Sequence, residues 1–327
     1  KNSLNSNAVI NAATGKKLHL RTVFKRGDYY LMGVVTNKSH KAKEFFESFK
    51  IKPPKYVKKF ETVTDSALFF STRTSVKPIK FVENSNNYFA GQSKPKPYSA
   101  FNKKTIYQNK NNEAIVVELN KSHDFLMFEH IDSVWALRKK IYADKRFNVF
   151  EESCNTLSSG EHILNITLTD TASTRGILIK NIVKDGLLYE LKAKVDIVSE
   201  PTKFIQEFFE NFQPLDTVIG SSILEDKTNR FFAALRRNDS IVIDGYPFIK
   251  FQKKDIDSLK YYISEFQYPE DKKDIQSHLI QKLSQLDDPD VIPFFKDFYM
   301  KSYNNSSAQT LVSVSYTHLT LPTMSTT

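Results

Sequence analysis

Two stretches of the chain share the same succession of strand, turn, strand and helix. Residues 175–212 read RGILIKNIVKDGLLYELKAKVDIVSEPTKFIQEFFENF, and residues 17–49 read KLHLRTVFKRGDYYLMGVVTNKSHKAKEFFESF. In each stretch a short polar turn containing glycine separates two apolar runs, which predicts an antiparallel hairpin. We interpret the two stretches as an internal repeat, called here the first repeat (17–49) and the second repeat (175–212). The alternative is that two common hairpin and helix units resemble each other by chance.

Aromatic residues mark the helix of each repeat. Phe45, Phe46 and Phe49 recur at helical spacing in the first repeat, and Phe208, Phe209 and Phe212 do so in the second. Apolar residues at this spacing form one stripe along a helix, and such a stripe normally faces the core. We therefore predict that both stripes are buried against equivalent faces of two antiparallel sheets.

The rest of the chain predicts an α+β fold. Further strands are expected at 66–72, 114–119, 147–154 and 162–169, and the pattern after Pro214 is helical. The predicted organisation begins with residues 1–83, which hold a sheet-plus-helix domain that lacks its opening strands and the start of the next domain. A loop or linker follows at 84–112, then a second sheet-plus-helix domain at 113–214, a C-terminally truncated helical region at 215–312 and a tail at 313–327.

The positive charge of the chain is concentrated in its first third. Residues 1–123 contain 23 Lys and Arg against 8 Asp and Glu, whereas residues 124–312 contain 24 against 29. A local excess of this size attracts anions. The abundance of lysine is also what codon usage in an AT-rich genome would produce.

One segment combines lysines with aromatic residues and is a candidate anion-binding site. The residues are Lys94, Lys96, Tyr98, Phe101, Lys103 and Lys104. Lysines can neutralise phosphates or an anionic glycan while aromatic rings stack on bases, as in grooves that bind single strands without reading their sequence. The alternative interpretation is a solvated linker.

The sequence contains no recognisable catalytic, cofactor-binding or metal-binding motif. The seven histidines and the single cysteine lack the spacing of metal ligands, and the glycine-rich phosphate-binding patterns do not occur. Cys154 closes the predicted strand 147–154, so we expect it to be buried in the core. No catalytic residue, cofactor or metal is therefore predicted, and no run of residues is apolar and long enough to span a membrane.

The hairpin and helix of each repeat resemble the closing segment of bacterial PsbP-like domains, which are named for a photosystem oxygen-evolving subunit. The resemblance lies in Tyr-Tyr-Leu-Met-Gly-Val-Val at 29–35 and Phe-Phe-Glu-Ser-Phe-Lys at 45–50. It implies an antiparallel sheet backed by helices and carries no catalytic residue. The family consists of exported bacterial proteins, which implies the periplasm or cell envelope, with the cytoplasm as the alternative.

Two segments near the C-terminus bear further resemblances. Residues 283–295, LSQLDDPDVIPFF, resemble the turn of a HEAT-type helical hairpin, which implies a scaffold of stacked helical repeats. Residues 314–323, VSYTHLTLPT, resemble the translation of a transposase-type sequencing adapter. We therefore expect residues 313–327 to lie outside the native protein and the chain to be a fragment.

Together these observations predict a non-enzymatic binding or scaffold module of a larger bacterial envelope protein, with an unknown protein as its partner. The first alternative is a weak, non-specific binder of an anionic polymer, either nucleic acid or glycan, through the basic first third. The second alternative is a fragment of an enzyme whose active site lies outside this chain.

Overall fold

The computed structural model describes residues 3–11, 13–25, 28–84, 96–143, 147–169 and 174–302, together with residues 309, 310 and 313. The chain divides into two compact units. Unit 1 comprises residues 1–122 and 130–222, and unit 2 comprises residues 123–129 and 223–327.

Unit 1 contains a seven-stranded antiparallel sheet. Its strands are β6 (Pro78–Asn84), β7 (Phe101–Gln108), β8 (Ala114–Lys121), β9 (Asn148–Thr156), β10 (His162–Thr169), β11 (Arg175–Lys184) and β12 (Leu187–Asp196). They lie in the order β6-β7-β8-β12-β11-β10-β9. The hairpin of the second repeat, β11 and β12, therefore lies near the middle of the sheet, with β8 paired to the far side of β12.

A second sheet of unit 1 carries the first repeat. It consists of β1 (Ser3–Asn11), β2 (Lys16–Lys25) and β3 (Asp28–Thr36) in the order β1-β2-β3, and helix α1 (Ser39–Ser48) packs against β3. Two residues separate β2 from β3, just as two separate β11 from β12. This agreement aligns Lys25 with Lys184 and the first repeat with the second.

The main core of unit 1 lies beneath helix α3 (Lys203–Glu210), which follows the second repeat's hairpin. A small sheet of β4 (Glu61–Asp65), β5 (Phe70–Thr74) and β13 (Gln213–Pro214) lies beside this helix, in the order β13-β5-β4. The ring of Phe208 on α3 lies 5.0 Å from that of Tyr107 on β7, measured between centroids, and 6.3 Å from that of Phe70 on β5. These rings belong to one buried cluster that joins α3, the large sheet and the small sheet.

Helix α2 (Ile131–Ala143) contacts the other face of the large sheet. Tyr142 and Arg138 on α2 bind Glu190 of β12, whereas Tyr189 of the same strand packs under α3. Successive residues of a strand point to opposite faces, so the two helices lie on opposite sides of the sheet.

Unit 2 is helical. Its helices are α4 (Thr228–Arg236), α5 (Ile241–Gly245), α6 (Ile256–Ser264), α7 (Lys273–Ser284) and α8 (Val291–Lys301). Helix α6 packs against α7 and α8, and the rings of Phe232 and Tyr262 stack 4.4 Å apart. The segment 123–129 joins this unit through the buried Lys227, whose Nζ donates a hydrogen bond to the carbonyl of Leu126.

The predicted α+β class with a helical C-terminal region is confirmed. The predicted linker is wrong at residues 101–108, which form β7 and pair with both β6 and β8. The division of the chain also differs from the predicted one, because segments assigned to two domains and a linker share one sheet and one compact unit. Of the predicted tail 313–327, only Ser313 lies within the described residues, and the predicted adapter segment 314–323 lies outside them.

Candidate functional site

Strand β3 lies at an edge of its sheet, since β2 is the one strand paired with it among the described residues. Lys25 and Asp28 close a hairpin with two loop residues, and a closing pair of this kind is hydrogen-bonded. The hydrogen-bonding direction alternates along a strand, so the backbone N–H groups of Leu31, Gly33 and Val35 point away from β2. A row of outward N–H and C=O groups is a template for another strand.

Aromatic side chains lie exposed beside this edge. Phe45 and Phe49 of the α1 segment are 43% and 38% exposed, and Tyr30 of β3 is similarly accessible. The rings of Tyr30 and Phe49 lie 5.6 Å apart. The prediction that the first repeat's helix stripe is buried is therefore wrong for Phe45 and Phe49, and it holds for Phe46.

The second repeat has an equivalent pair of aromatic rings, but there the rings are buried. Tyr189 and Phe212, the counterparts of Tyr30 and Phe49, lie 5.4 Å apart. Phe208 and Phe212 are only 0% and 4% exposed, because rings from β5 and β7 pack on them. The matching centroid separation of the two ring pairs supports the internal repeat. The difference in exposure arises from strands that accompany only the second repeat among the described residues.

We call the group Tyr30, Leu31, Gly33, Val35, Phe45 and Phe49 the β3 surface. It combines an open strand edge with apolar side chains, and Leu31 and Val35 are themselves largely exposed. Successive strand residues alternate, so Leu31 and Val35 point to the face opposite Tyr30, and exposed apolar side chains lie on both sides of the open edge. Exposed apolar groups of this kind are typical of interaction sites. Sequence reasoning predicted the repeat but missed this surface, because a helical apolar stripe has the same pattern whether or not a partner strand covers it.

A groove of about 910 Å³ borders the β3 surface within unit 1. Tyr30 and Phe49 line it, together with the basic side chains of Lys50, Lys55 and Lys194. Carboxylates of Glu113, Asp196 and Glu200 also contribute to the lining. Its volume lies within the range of typical ligand clefts, and its walls combine aromatic and charged groups.

The described residues of the predicted anion-binding site lie in a turn before β7 and on both faces of that strand. Lys94 lies outside the described residues, and Lys96 extends over the ring of Tyr98 at 5.4 Å. Phe101 and Lys103 lie on the core-facing side of β7, where Phe101 packs against the hydrophobic cluster.

The lysines of β7 have neighbours within unit 1. Lys103 lies over the rings of Phe69 and Phe101 at 5.7 and 5.3 Å. Lys104 is the next residue along the strand, so it points to the opposite face, and Glu118 of β8 is its cross-strand neighbour. The structure therefore brings Lys103 together with Phe101 but places Lys104 on the other side of the sheet.

A buried polar cluster lies between α2 and the large sheet. Glu190 accepts hydrogen bonds from Arg138 and Tyr142 and forms an ion pair with Lys192, and the hydroxyl of Tyr142 also lies 3.2 Å from the side-chain amide of Asn181. Burial by itself would raise the pKa of Glu190, but the cations Arg138 and Lys192 outweigh it and hold that pKa below its usual value. Glu190 is thus a paired carboxylate that fixes α2 on the sheet.

Histidine and cysteine provide little reactive chemistry in the described residues. Burial lowers the pKa of His278 to about 4, and its ring packs edge-on against Tyr246. Cys154 is exposed on β9, which corrects the expectation of a buried thiol, and its pKa is raised mainly by desolvation. Among the described residues no group of three or more His, Cys, Asp or Glu side chains could hold a metal ion.

The comparisons with known proteins leave the site to be interpreted from its own geometry. No family model matches the chain, and no curated protein matches it. Within the part of the chain that the structure describes, no helix is long and apolar enough to cross a membrane.

Proposed function

We propose that this chain is a non-enzymatic protein-binding module that acts as a scaffold in a larger bacterial envelope protein. The observation that carries the proposal is the exposure of Phe45 and Phe49, whose counterparts Phe208 and Phe212 are buried. Aromatic residues at an open sheet edge supply both apolar contact area and backbone hydrogen bonds to a partner. The envelope location rests on the resemblance to PsbP-like domains, and the scaffold role on the resemblance of the helical region to HEAT repeats.

The experiment uses a photo-reactive residue in place of Phe45. Benzoylphenylalanine is introduced there in the full chain, expressed in the bacterium that carries the gene, and irradiated. The matched control places the same residue at Tyr261 on helix α6, an aromatic position that is 52% exposed and lies on no sheet edge. Fractionation of the irradiated cells reports whether adducts form in the envelope or the cytoplasm.

The proposal predicts a discrete protein adduct from position 45 in the envelope fraction. Excess unlabelled chain should displace it, whereas excess chain carrying Phe45→Ser and Phe49→Ser should not. Adducts that are the same from both positions, or that both competitors displace equally, would contradict the role of the β3 surface.

The alternative function is weak binding of nucleic acid or anionic glycan through the basic first third. The charge excess of residues 1–123 favours it. Three lysines of the predicted site are described, Lys96, Lys103 and Lys104. Lys103 and Lys104 point to opposite faces of β7, so they would act together only through their summed field. Titration with single-stranded DNA and with an anionic glycan should then show affinity that falls with salt, and replacing these lysines by glutamine should flatten the dependence.

A further inference from the structure

The second repeat supplies a template for what the β3 surface binds. Strand β8 pairs antiparallel with β12 and places Glu118 opposite Glu190 and Val116 opposite Lys192. The counterparts of Glu190 and Lys192 in the first repeat are Leu31 and Gly33, whose N–H groups point to the open edge. The position that β8 occupies beside β12 is therefore vacant beside β3 in the described residues.

The template also explains the exposed rings. Tyr107 of β7 packs on Phe208, and the counterpart of Phe208 is Phe45. A hairpin of the β7–β8 kind, added to β3 in the same register, would place its own aromatic residue on Phe45. It would also place apolar residues of its inner strand beside Tyr30, as Leu119 lies opposite Tyr189.

Charge distinguishes the open site from its covered counterpart. Residues 16–52 contain ten Lys and Arg against three Asp and Glu, whereas the equivalent residues 175–215 contain six of each. The first repeat therefore complements a negatively charged partner, and the second repeat needs no such complement.

We propose that the β3 surface binds an acidic β-hairpin of a partner polypeptide, which adds antiparallel to β3 in the register that β8 adopts on β12. Main-chain hydrogen bonds to the edge provide affinity, and an aromatic residue of the hairpin anchors it on Phe45. The inference deepens the proposed function and rests on it, since it names the kind of partner that the same surface takes.

The experiment tests the full chain with two cyclic hairpin probes. The first has the sequence of residues 101–121, closed by an Asn-Gly linker between its ends, which are neighbours in the β7–β8 pair. The second carries Lys103→Glu, Lys104→Glu and Lys110→Glu, which change the net charge from +2 to −4. Binding is measured by fluorescence anisotropy at low and high salt, and amide hydrogen exchange of the chain is followed by NMR.

At low salt we expect the acidic probe to bind the chain with at least about tenfold higher affinity than the unmodified probe. At high salt the difference between the two probes should be smaller. The amides of Leu31 and Gly33 should become protected. Leu31→Pro in the chain removes one edge donor, and proline is tolerated in edge strands, so this variant should fold and bind at least about tenfold more weakly. Leu137→Ser on α2, an exposed site on another face, should bind normally.

Three outcomes would overturn the inference. The first is that neither probe binds the wild-type chain, and the second is that Leu31→Pro leaves the affinity for the acidic probe unchanged. The third is self-association in sedimentation experiments that Phe45→Ser abolishes, because a second copy of this chain would then occupy the β3 surface. These outcomes are independent of the cross-linking test. If the chain cross-links at position 45 but binds neither probe, the proposed protein-binding function stands and the inference of a hairpin partner fails.

Discussion

The two phenylalanines at equivalent helix positions should differ in what they contribute to stability. Phe208 is completely buried and contacts the rings of Phe70 and Tyr107. Replacing a buried phenylalanine by alanine costs about 3–5 kcal/mol, because apolar contacts are lost and a cavity remains. We expect Phe208→Ala to lower the free energy of unfolding of unit 1 by an amount in this range.

Phe45→Ala should cost much less. Complete burial of a phenylalanine side chain stabilises the folded state by about 1.5–3 kcal/mol. Phe45 is 43% exposed, so the loss of its contacts should cost about 1–2 kcal/mol. Alanine also has a higher helix propensity than phenylalanine, which returns about 0.5 kcal/mol. The net destabilisation should be about 1 kcal/mol.

The assay is urea unfolding followed by the fluorescence of Trp135. This residue is the one tryptophan of the chain and is buried in unit 1, so its emission reports that unit. Equal losses for Phe45→Ala and Phe208→Ala would refute the reasoning, because they would mean that Phe45 belongs to the core and is not held ready for a partner.

Other predictions concern charged groups. Arg138→Met removes one of the two cations on Glu190 and should cost about 3 kcal/mol, because the carboxylate stays buried; adding Glu190→Gln should recover part of this loss in urea unfolding. The pKa of His278 is lowered to about 4, so the unfolded chain binds a proton that the folded chain does not between about pH 6.5 and 4, and stability should fall as the pH falls through this window. His278→Gln should flatten that fall in melts followed by circular dichroism.

Sequence patterning was sufficient where apolar alternation or helical spacing was strong. Residues 162–169 were predicted as a strand and form β10, in which Ile163, Leu164, Ile166 and Leu168 are buried. Local pattern failed for β7, whose sequence FNKKTIYQ carries two lysines and lies in a polar region. Pairing with β8, supported by the buried Thr105 and Tyr107, makes this segment a strand, and that contact is not encoded within the segment.

The β3 surface could not be predicted from sequence patterning, for a related reason. The helix stripe of each repeat predicts burial, but burial depends on whether strands cover the stripe. Phe45 and Phe208 have the same local sequence context and different exposure because Tyr107 and Phe70 accompany only the second repeat among the described residues. The same principle applies to Cys154, which ends the predicted strand 147–154 but lies on the exposed edge strand β9.

Amide hydrogen exchange of the free chain tests the central claim most directly. The N–H groups of Leu31 and Gly33 point to the open edge of β3, whereas those of their counterparts Glu190 and Lys192 point to β8. We predict that Leu31 and Gly33 exchange at least about 100-fold faster than Glu190 and Lys192 in the full chain, because only the latter pair is hydrogen-bonded within a buried sheet. Comparable protection at all four positions would mean that the edge of β3 is already covered and would contradict the account.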